Sequence, residues 1–183
     1  AATNYIQNGS FESGTAGWAQ WELAPNLTMS VQDASTTSTA VDGAKYGQME
    51  WTSAATYVTF ATEVNMTPTN IPNGRKLVFS AWYKANVASN VKVRLAKVYL
   101  NSQGETVQFS SQDGIAGSQA GWTKLTFEFM HVDDPAHPIL RLLLNPDISG
   151  GSAGTVLWDD VRLEVVPAPD NFLANGGFED GSN

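Results

Sequence analysis

Period-two alternation of apolar and polar residues runs through most of this chain, and it restricts the fold more than any other feature. KLVFSAWYK sets Leu77, Phe79, Ala81 and Tyr83 against Val78, Ser80, Trp82 and Lys84. NVKVRLAKVYL sets Val91, Val93 and Leu95 against Lys92, Arg94 and Ala96. WTKLTFEFM turns Leu125, Phe127 and Phe129 inward and Trp122, Lys124, Thr126 and Glu128 outward. ILRLLL sets Leu140, Leu142 and Leu144 against Ile139, Arg141 and Leu143, and VLWDDVRLEV lines up Leu157, Val161, Leu163 and Val165. Further strands are expected near 4–7, 19–23, 27–32, 46–51, 56–63 and 106–110. Turn signals separate them: NGS at 8–10, PNGR at 72–75, NSQGE at 101–105, DGIAGSQAG at 113–121 and SGGSAG at 149–154. Short strands at this spacing predict an all-β chain, a two-sheet antiparallel β-sandwich of the jelly-roll kind, which leaves few exposed edges.

A length of 183 residues is enough for one well-filled core, and 42% hydrophobic against 15% charged residues marks a globular chain. With no cysteine, disulfides and thiolate zinc sites are excluded. A net charge of −8 gives no basic field for nucleic acid. The apolar runs are too short to span a bilayer, so no membrane partner is expected. Low charge with abundant Ser, Thr, Asn and Gly suits a secreted or cell-surface bacterial protein, although AATNY carries no basic, apolar leader.

The chain repeats itself. NYIQNGSFESG at 4–14 returns as NFLANGGFEDG at 171–181, without a gap. Asn4 recurs as Asn171, Asn8 as Asn175, Gly9 as Gly176, Phe11 as Phe178, Glu12 as Glu179 and Gly14 as Gly181. The two-proline connector VVPAPD lies just before the second copy. The expected organisation is a module over 1–166, followed by a linker and the truncated start of a second module over 167–183. That tail is expected to be orphaned unless it packs on a neighbour.

Catalytic signals are weak. Asp133-Asp134 and Asp159-Asp160 are adjacent pairs, and strand neighbours face opposite ways, which suits neither glycosidase geometry. Nucleophile-elbow, phosphate-loop and HExxH motifs do not occur. No catalytic residue is expected.

Four segments in order, NGSFESGTAGW, FSAWYKA, GWTKLTFEF and LWDDVRLEV, resemble the carbohydrate-binding modules of families 4, 9, 16 and 22. The resemblance covers nearly all of residues 3–166. It implies a β-jelly roll, often in tandem, carried on a secreted polysaccharide-degrading enzyme. It also implies a structural Ca2+. Glu12 and Asp159 match the positions of the two carboxylate ligands, and backbone carbonyls near Ser10 and near Lys45 or Tyr46 would complete the shell. Alternation points Asp159 inward, where an unpaired carboxylate is costly and a hard cation would offset the cost. Asp160 is the alternative if the register slips by one. Asp159 could instead accept backbone amides or pair with Arg162.

Sugar recognition needs flat apolar platforms with polar groups beside them. Of six tryptophans, Trp18 reads as core. Trp82 and Trp122 fall opposite the apolar faces of their strands, and Trp21 sits in a polar stretch. Trp21 and Trp122 also match, approximately, the two cleft tryptophans of family 16. Trp51 is a further candidate, with Arg94, Gln108, Glu128 and Arg141 as outward polar partners. The expected ligand is a polysaccharide, a neutral β-glucan or mannan ahead of a uronate-bearing chain. A spacer reading, in which calcium-stiffened sandwiches form part of an adhesion or surface-layer protein, predicts buried aromatics instead.

Overall fold

In the computed structural model the described residues are 2–20, 26–55, 57–67, 71–148 and 152–167. They form ten strands and no helix. The strands are β1 (Ala19–Gln20), β2 (Leu27–Asp33), β3 (Lys45–Trp51), β4 (Phe60–Asn65) and β5 (Lys76–Asn86), then β6 (Lys92–Leu100), β7 (Thr106–Ala116), β8 (Gln119–Met130), β9 (Ile139–Leu144) and β10 (Gly154–Val165). One antiparallel sheet has the order β1-β4-β9-β6-β7, and the other β2-β3-β10-β5-β8. For brevity they are called the first and second sheets. This is the expected all-β sandwich.

Its core follows the alternation. Leu77, Phe79, Ala81 and Tyr83 of β5, Val93 and Leu95 of β6, and Leu140, Leu142 and Leu144 of β9 are all fully enclosed between the sheets. Leu125, Phe127 and Phe129 of β8 close the same cluster. Burying one such side chain contributes about 1.5–3 kcal/mol, so dozens of them offset the entropy of ordering the chain.

Four features go beyond the alternation read from the sequence. The segment 113–121, which reads as turn, is mostly strand: β7 continues to Ala116 and β8 restarts at Gln119. Pairing of β7 with β6 and of β8 with β5 outweighs the poor strand preference of Asp113 and Gly114. The tight turn between them carries the chain from the edge of the first sheet to the edge of the second.

A bulge interrupts β10 between Asp159 and Arg162, with Asp160 at φ 47°. The extra residue reverses the facing of everything beyond it. Val156 and Trp158 are therefore enclosed before the bulge, and Val161 and Leu163 after it, while Leu157 lies outside the core. The sequence places Leu157 and Val161 on one face; the bulge separates them.

The parity of β6 also carries Lys97 inward, in line with Val93, Leu95 and Tyr99, and it is 5% exposed. Finally, residues 4–7 do not form a named strand. They lie along β10 instead, with the Tyr5 amide donating to the Leu163 carbonyl at 2.9 Å.

Candidate functional site

The sandwich has two outer faces, and they are chemically different. On the first sheet, register places Ala61 of β4, Leu143 of β9, Ala96 of β6 and Ser111 of β7 in one outward row. The next row holds Glu63, Arg141 and Val98. Ala61, Ala96, Val98, Leu100 and Leu143 form an apolar cluster of their own, separate from the core. Small and medium side chains keep this floor low.

Charged and polar groups stand over it. The Arg141 Nε donates to Glu63 Oε2 at 2.8 Å, and the guanidinium makes a second bond to the same oxygen. Arg94 donates to the carbonyl and to the side-chain oxygen of Asn145, at 3.2 and 3.0 Å. At the β1 end, a depression of about 440 Å³ is lined by Trp18, Gln20, Ala61, Thr62, Glu63 and Arg141, among others. This volume is within the range of small-molecule sites. At the β7 end, Val98 opposes a β-bulge, because Lys97 pairs with Ser110 and Tyr99 with Val107. Gln108 takes φ 57° there. Beyond it Phe109 is 52% exposed, more than any other aromatic ring among the described residues. Four strand spacings separate β1 from β7, roughly 19 Å.

The outer face of the second sheet carries Trp82 of β5 and Trp122 and Glu128 of β8. Both tryptophans are half-buried. Trp122 is engaged on several sides. Its indole N–H donates to the Thr39 carbonyl at 2.9 Å, Tyr46 meets it edge-on at 6.0 Å, and the Lys84 ammonium sits 5.1 Å from the ring centroid. Trp122 therefore anchors the loop before β3. Glu128 is exposed and lies 3.5 Å from the Lys76 ammonium. At the other end of β8, a depression of about 370 Å³ is lined by Ser38, Tyr46, Gln48, Lys84, Gln119 and Leu157, among others.

The sequence-derived ligand set is thus divided. Arg94, Gln108 and Arg141 belong to the first sheet; Trp82, Trp122 and Glu128 belong to the second. One groove cannot use both groups. Trp51 is 4% exposed, with its indole N–H bonded to the Ser152 carbonyl at 2.8 Å, so it is core rather than platform. Trp18 is core as expected, stacked on Phe60. Trp21 lies outside the described residues. Phe109 escaped the sequence reading, because only the bulge at Gln108 sets its facing.

The expected calcium ligands do converge on one loop, residues 41–45. Glu12 accepts the amides of Ala44 and Lys45 at 2.9–3.2 Å. Asp159 is fully buried and accepts three amides, from Val41 (2.7 Å), Asp42 (2.9 Å) and Asp160 (2.8 Å). Ser10 Oγ donates to Asp42 at 2.6 Å. Burial pushes the Asp159 carboxyl up to about 6, against the opposing pull of those amides. Asp160 is directed elsewhere and pairs with Arg162 at 2.9 Å. Among the described residues no three acidic or histidine side chains group around a common metal position. The all-oxygen donor set suits a hard cation, and backbone carbonyls would have to supply the rest of the shell.

No family model and no curated protein matches the chain by sequence. Solved structures match it by shape. The enzymatically active domain of tailspike protein 4 from bacteriophage CBA120 aligns at TM-score 0.63 and 11% identity, over 89% of this chain. This chain spans only 21% of that one. A family 16 carbohydrate-binding module aligns at TM-score 0.57 and 17% identity, over 87% of this chain and 99% of the module. The first family 22 module of a Paenibacillus barcinonensis protein, described as a xylan-binding domain, aligns at 0.58 and 17%, over 92% and 98%. The described chain has the β-sandwich fold of carbohydrate-binding modules, and its whole-length matches among these are such modules.

Proposed function

We propose that the protein is a non-catalytic carbohydrate-binding module, and that its sugar lies across the outer face of the first sheet. One observation carries the reading: an exposed aromatic ring, Phe109, and a polar depression at Gln20, Glu63 and Arg141 share one face over a small-residue floor. A pyranose C–H face would stack on Phe109, and the Glu63–Arg141 pair would accept from and donate to hydroxyls. Both arginine forks on this face already have partners, Glu63 and Asn145. That favours hydroxyl recognition over capture of a uronate carboxylate, which would need a fork to itself. A neutral β-glucan, mannan or similar polysaccharide is the ligand proposed. Shallow, wet sites of this kind bind at about micromolar Kd or weaker.

The biological role proposed is targeting. The module, secreted or at the cell surface of a bacterium, holds a linked polysaccharide-degrading enzyme on its substrate, and tandem copies raise the effective concentration. A structural Ca2+ held by Glu12 and Asp159 with nearby carbonyls is part of the proposal. It would clamp the segment before β1 to the last strand.

Affinity electrophoresis in gels containing β-glucan, mannan or xylan tests the site. Retardation in at least one gel is expected. Arg141→Ala and Phe109→Ala should each weaken it about tenfold or more, while Trp122→Ala with an intact fold leaves it. The reverse pattern would move the site to the second sheet. Migration unchanged in every gel would favour the spacer reading.

Calcium is tested separately. Adding about 1 mM CaCl2 to chelator-treated protein should raise Tm by several degrees, on the order expected for a cation that binds only the folded state. No rise in Tm would remove the cation and leave backbone amides, those of loop 41–45 and of Asp160, as the partners of the two carboxylates.

A further inference from the structure

Acids outnumber bases in this chain, 18 to 10, so a base without an acid beside it is the rarer find. Eight of the ten lysines and arginines pair with a carboxylate or donate to a carbonyl or side-chain oxygen. Lys84 and Lys124 do neither: no ion pair or hydrogen bond engages their ammonium groups among the described residues. Both stand on the outer face of the second sheet.

Register brings them together with two indoles. On β5 the outward residues Trp82 and Lys84 follow one another, and on β8 so do Trp122 and Lys124. Trp82 lies directly opposite Lys124. Beyond Tyr83 the pairing shifts, and the Lys84 ammonium rests 5.1 Å from the Trp122 ring centroid. Cations and indoles therefore alternate around a square, with the two lysines on a diagonal, about 7–8 Å apart at Cβ. Lys84 is half-buried and held over a ring that the Thr39 carbonyl itself fixes, so much of its freedom is lost before anything binds. Trp82 is half-buried, and no other aromatic ring among the described residues covers it.

The depression of about 370 Å³ adjoins Lys84 and also takes in Gln48, Asn86 and Gln119. The side-chain amides of these three have no hydrogen-bond partner among the described residues. Each offers two N–H donors and a carbonyl acceptor, the complement of a row of hydroxyls. Two neighbouring ammonium groups repel each other, and an anion placed between them removes that repulsion. Two cations on a chain of net charge −8 make no track for a phosphate backbone, whereas one carboxylate on a hydroxyl-rich ring matches both the charge and the amides.

We propose that the outer face of the second sheet is a second saccharide site, and that it takes a uronate-bearing polysaccharide. A uronate carboxylate sits between Lys84 and Lys124 with its ring beside Trp82, and the hydroxyls of the adjoining sugar reach Gln48, Asn86 and Gln119. Trp122 serves as the support that holds the Lys84 ammonium in place, not as a stacking platform. This site stands whether or not the first sheet binds a neutral chain. With both, one module joins a neutral polysaccharide on one face to an acidic one on the other.

The probe is an oligogalacturonate, titrated into the 183-residue chain and followed by tryptophan fluorescence and by calorimetry. Saturable binding is expected, with a Kd of about 1 mM or tighter. It should weaken severalfold between about 0.05 and 0.5 M NaCl, as salt screens the ion pairs. The methyl-esterified oligomer, which keeps the rings and lacks the charge, should bind about tenfold more weakly or not at all. Lys124→Gln should weaken binding about threefold and Lys84→Gln, whose ammonium is half-buried, about tenfold. The double variant should bind no oligogalacturonate, keep its Tm and keep any retardation in gels of neutral polysaccharide. Absence of saturation at about 10 mM oligomer, equal affinity for the ester, or full binding by the double variant would overturn the proposal. So would loss of both ligands from a folded double variant, which would mean a single site. Oligogalacturonate binding with no retardation in any neutral gel would leave this site standing and remove the one on the first sheet.

Discussion

Asp159→Ala should destabilise the calcium-free protein by about 3 kcal/mol at pH 5. Three backbone amides end on this one buried carboxylate, those of Val41, Asp42 and Asp160. Removing an acceptor costs about 1–3 kcal/mol for each donor left without a partner. The lower figure applies, because Asp42 and Val41 are exposed residues whose amides water can reach. The loop 41–45 would then lose its tie to β10 and keep its bonds to Glu12, Ser10 and Ala34. Chemical denaturation with a fitted midpoint and slope checks the value. A loss under about 1 kcal/mol would show that the loop is held by other means.

The same residue gives a pH signature. Its folded carboxyl is pushed up from 3.8 to about 6, so between these values the folded state binds more protons than the unfolded state. Calcium-free protein should therefore lose stability as pH rises from about 4 through 6, by on the order of 3 kcal/mol at most. Above pH 6 that cost is fully present. Asp159→Ala should lack this slope, so its deficit against the unaltered protein shrinks as pH rises. Saturating Ca2+ should reverse the trend, since a bound cation favours the ionised carboxylate. A calcium-free profile that rises from pH 4 to pH 6 would contradict the assigned environment of Asp159.

How far the residues announced this structure varies along the chain. β5, β6, β8 and β9 have one face in the core and one outside, so alternation alone assigns Phe79, Leu95, Phe127 and Leu142 correctly. Two bulges carry no comparable signal. The irregularity after Asp159 reverses β10 with no glycine or proline at the spot, Asp160 itself taking φ 47°. The bulge at Gln108 turns Phe109 onto the first sheet and is equally silent. Parity also says on which side of its own sheet a residue lies, but not which sheet contains it. Trp122 and Arg141 are both outward, yet they stand on opposite faces of the sandwich, because β8 and β9 were dealt to different sheets. A single groove assembled from outward residues was for that reason out of reach. Glu12 and Asp159, by contrast, lie on the first and last segments of the module, and both end on the loop 41–45, Glu12 on the amides of Ala44 and Lys45 and Asp159 on those of Val41 and Asp42.

Lys97→Met should stabilise the protein by about 1–2 kcal/mol at pH 7 and weaken its hold on sugar. Lys97 faces the core with 5% exposure. Its ammonium donates to the Gln108 carbonyl at 2.6 Å and lies 5.0 and 5.3 Å from the ring centroids of Tyr99 and Phe129. No carboxylate among the described residues forms an ion pair with it. A hydrogen bond to a charged donor is worth about 1.5–3 kcal/mol and a desolvated cation–π contact about 2. Burying the charge costs several kcal/mol. Burial lowers the ammonium below its ordinary value, the direction in which removing the charge favours the fold. Methionine keeps the unbranched bulk and removes the charge. The Gln108 carbonyl loses its partner, but Gln108 is exposed and water can replace the bond. Because the folded value lies below that of the unfolded chain, the unaltered protein should gain stability as pH rises through the folded value towards 10.5, and the variant's advantage should fade there. The functional consequence has the opposite sign. The Lys97–Gln108 bond fixes the bulge that presents Phe109, and without it Phe109 samples other positions. Retardation in the sugar-containing gel should fall while Tm rises. A variant both less stable at pH 7 and undiminished in binding would show that Lys97 serves the core and not the site.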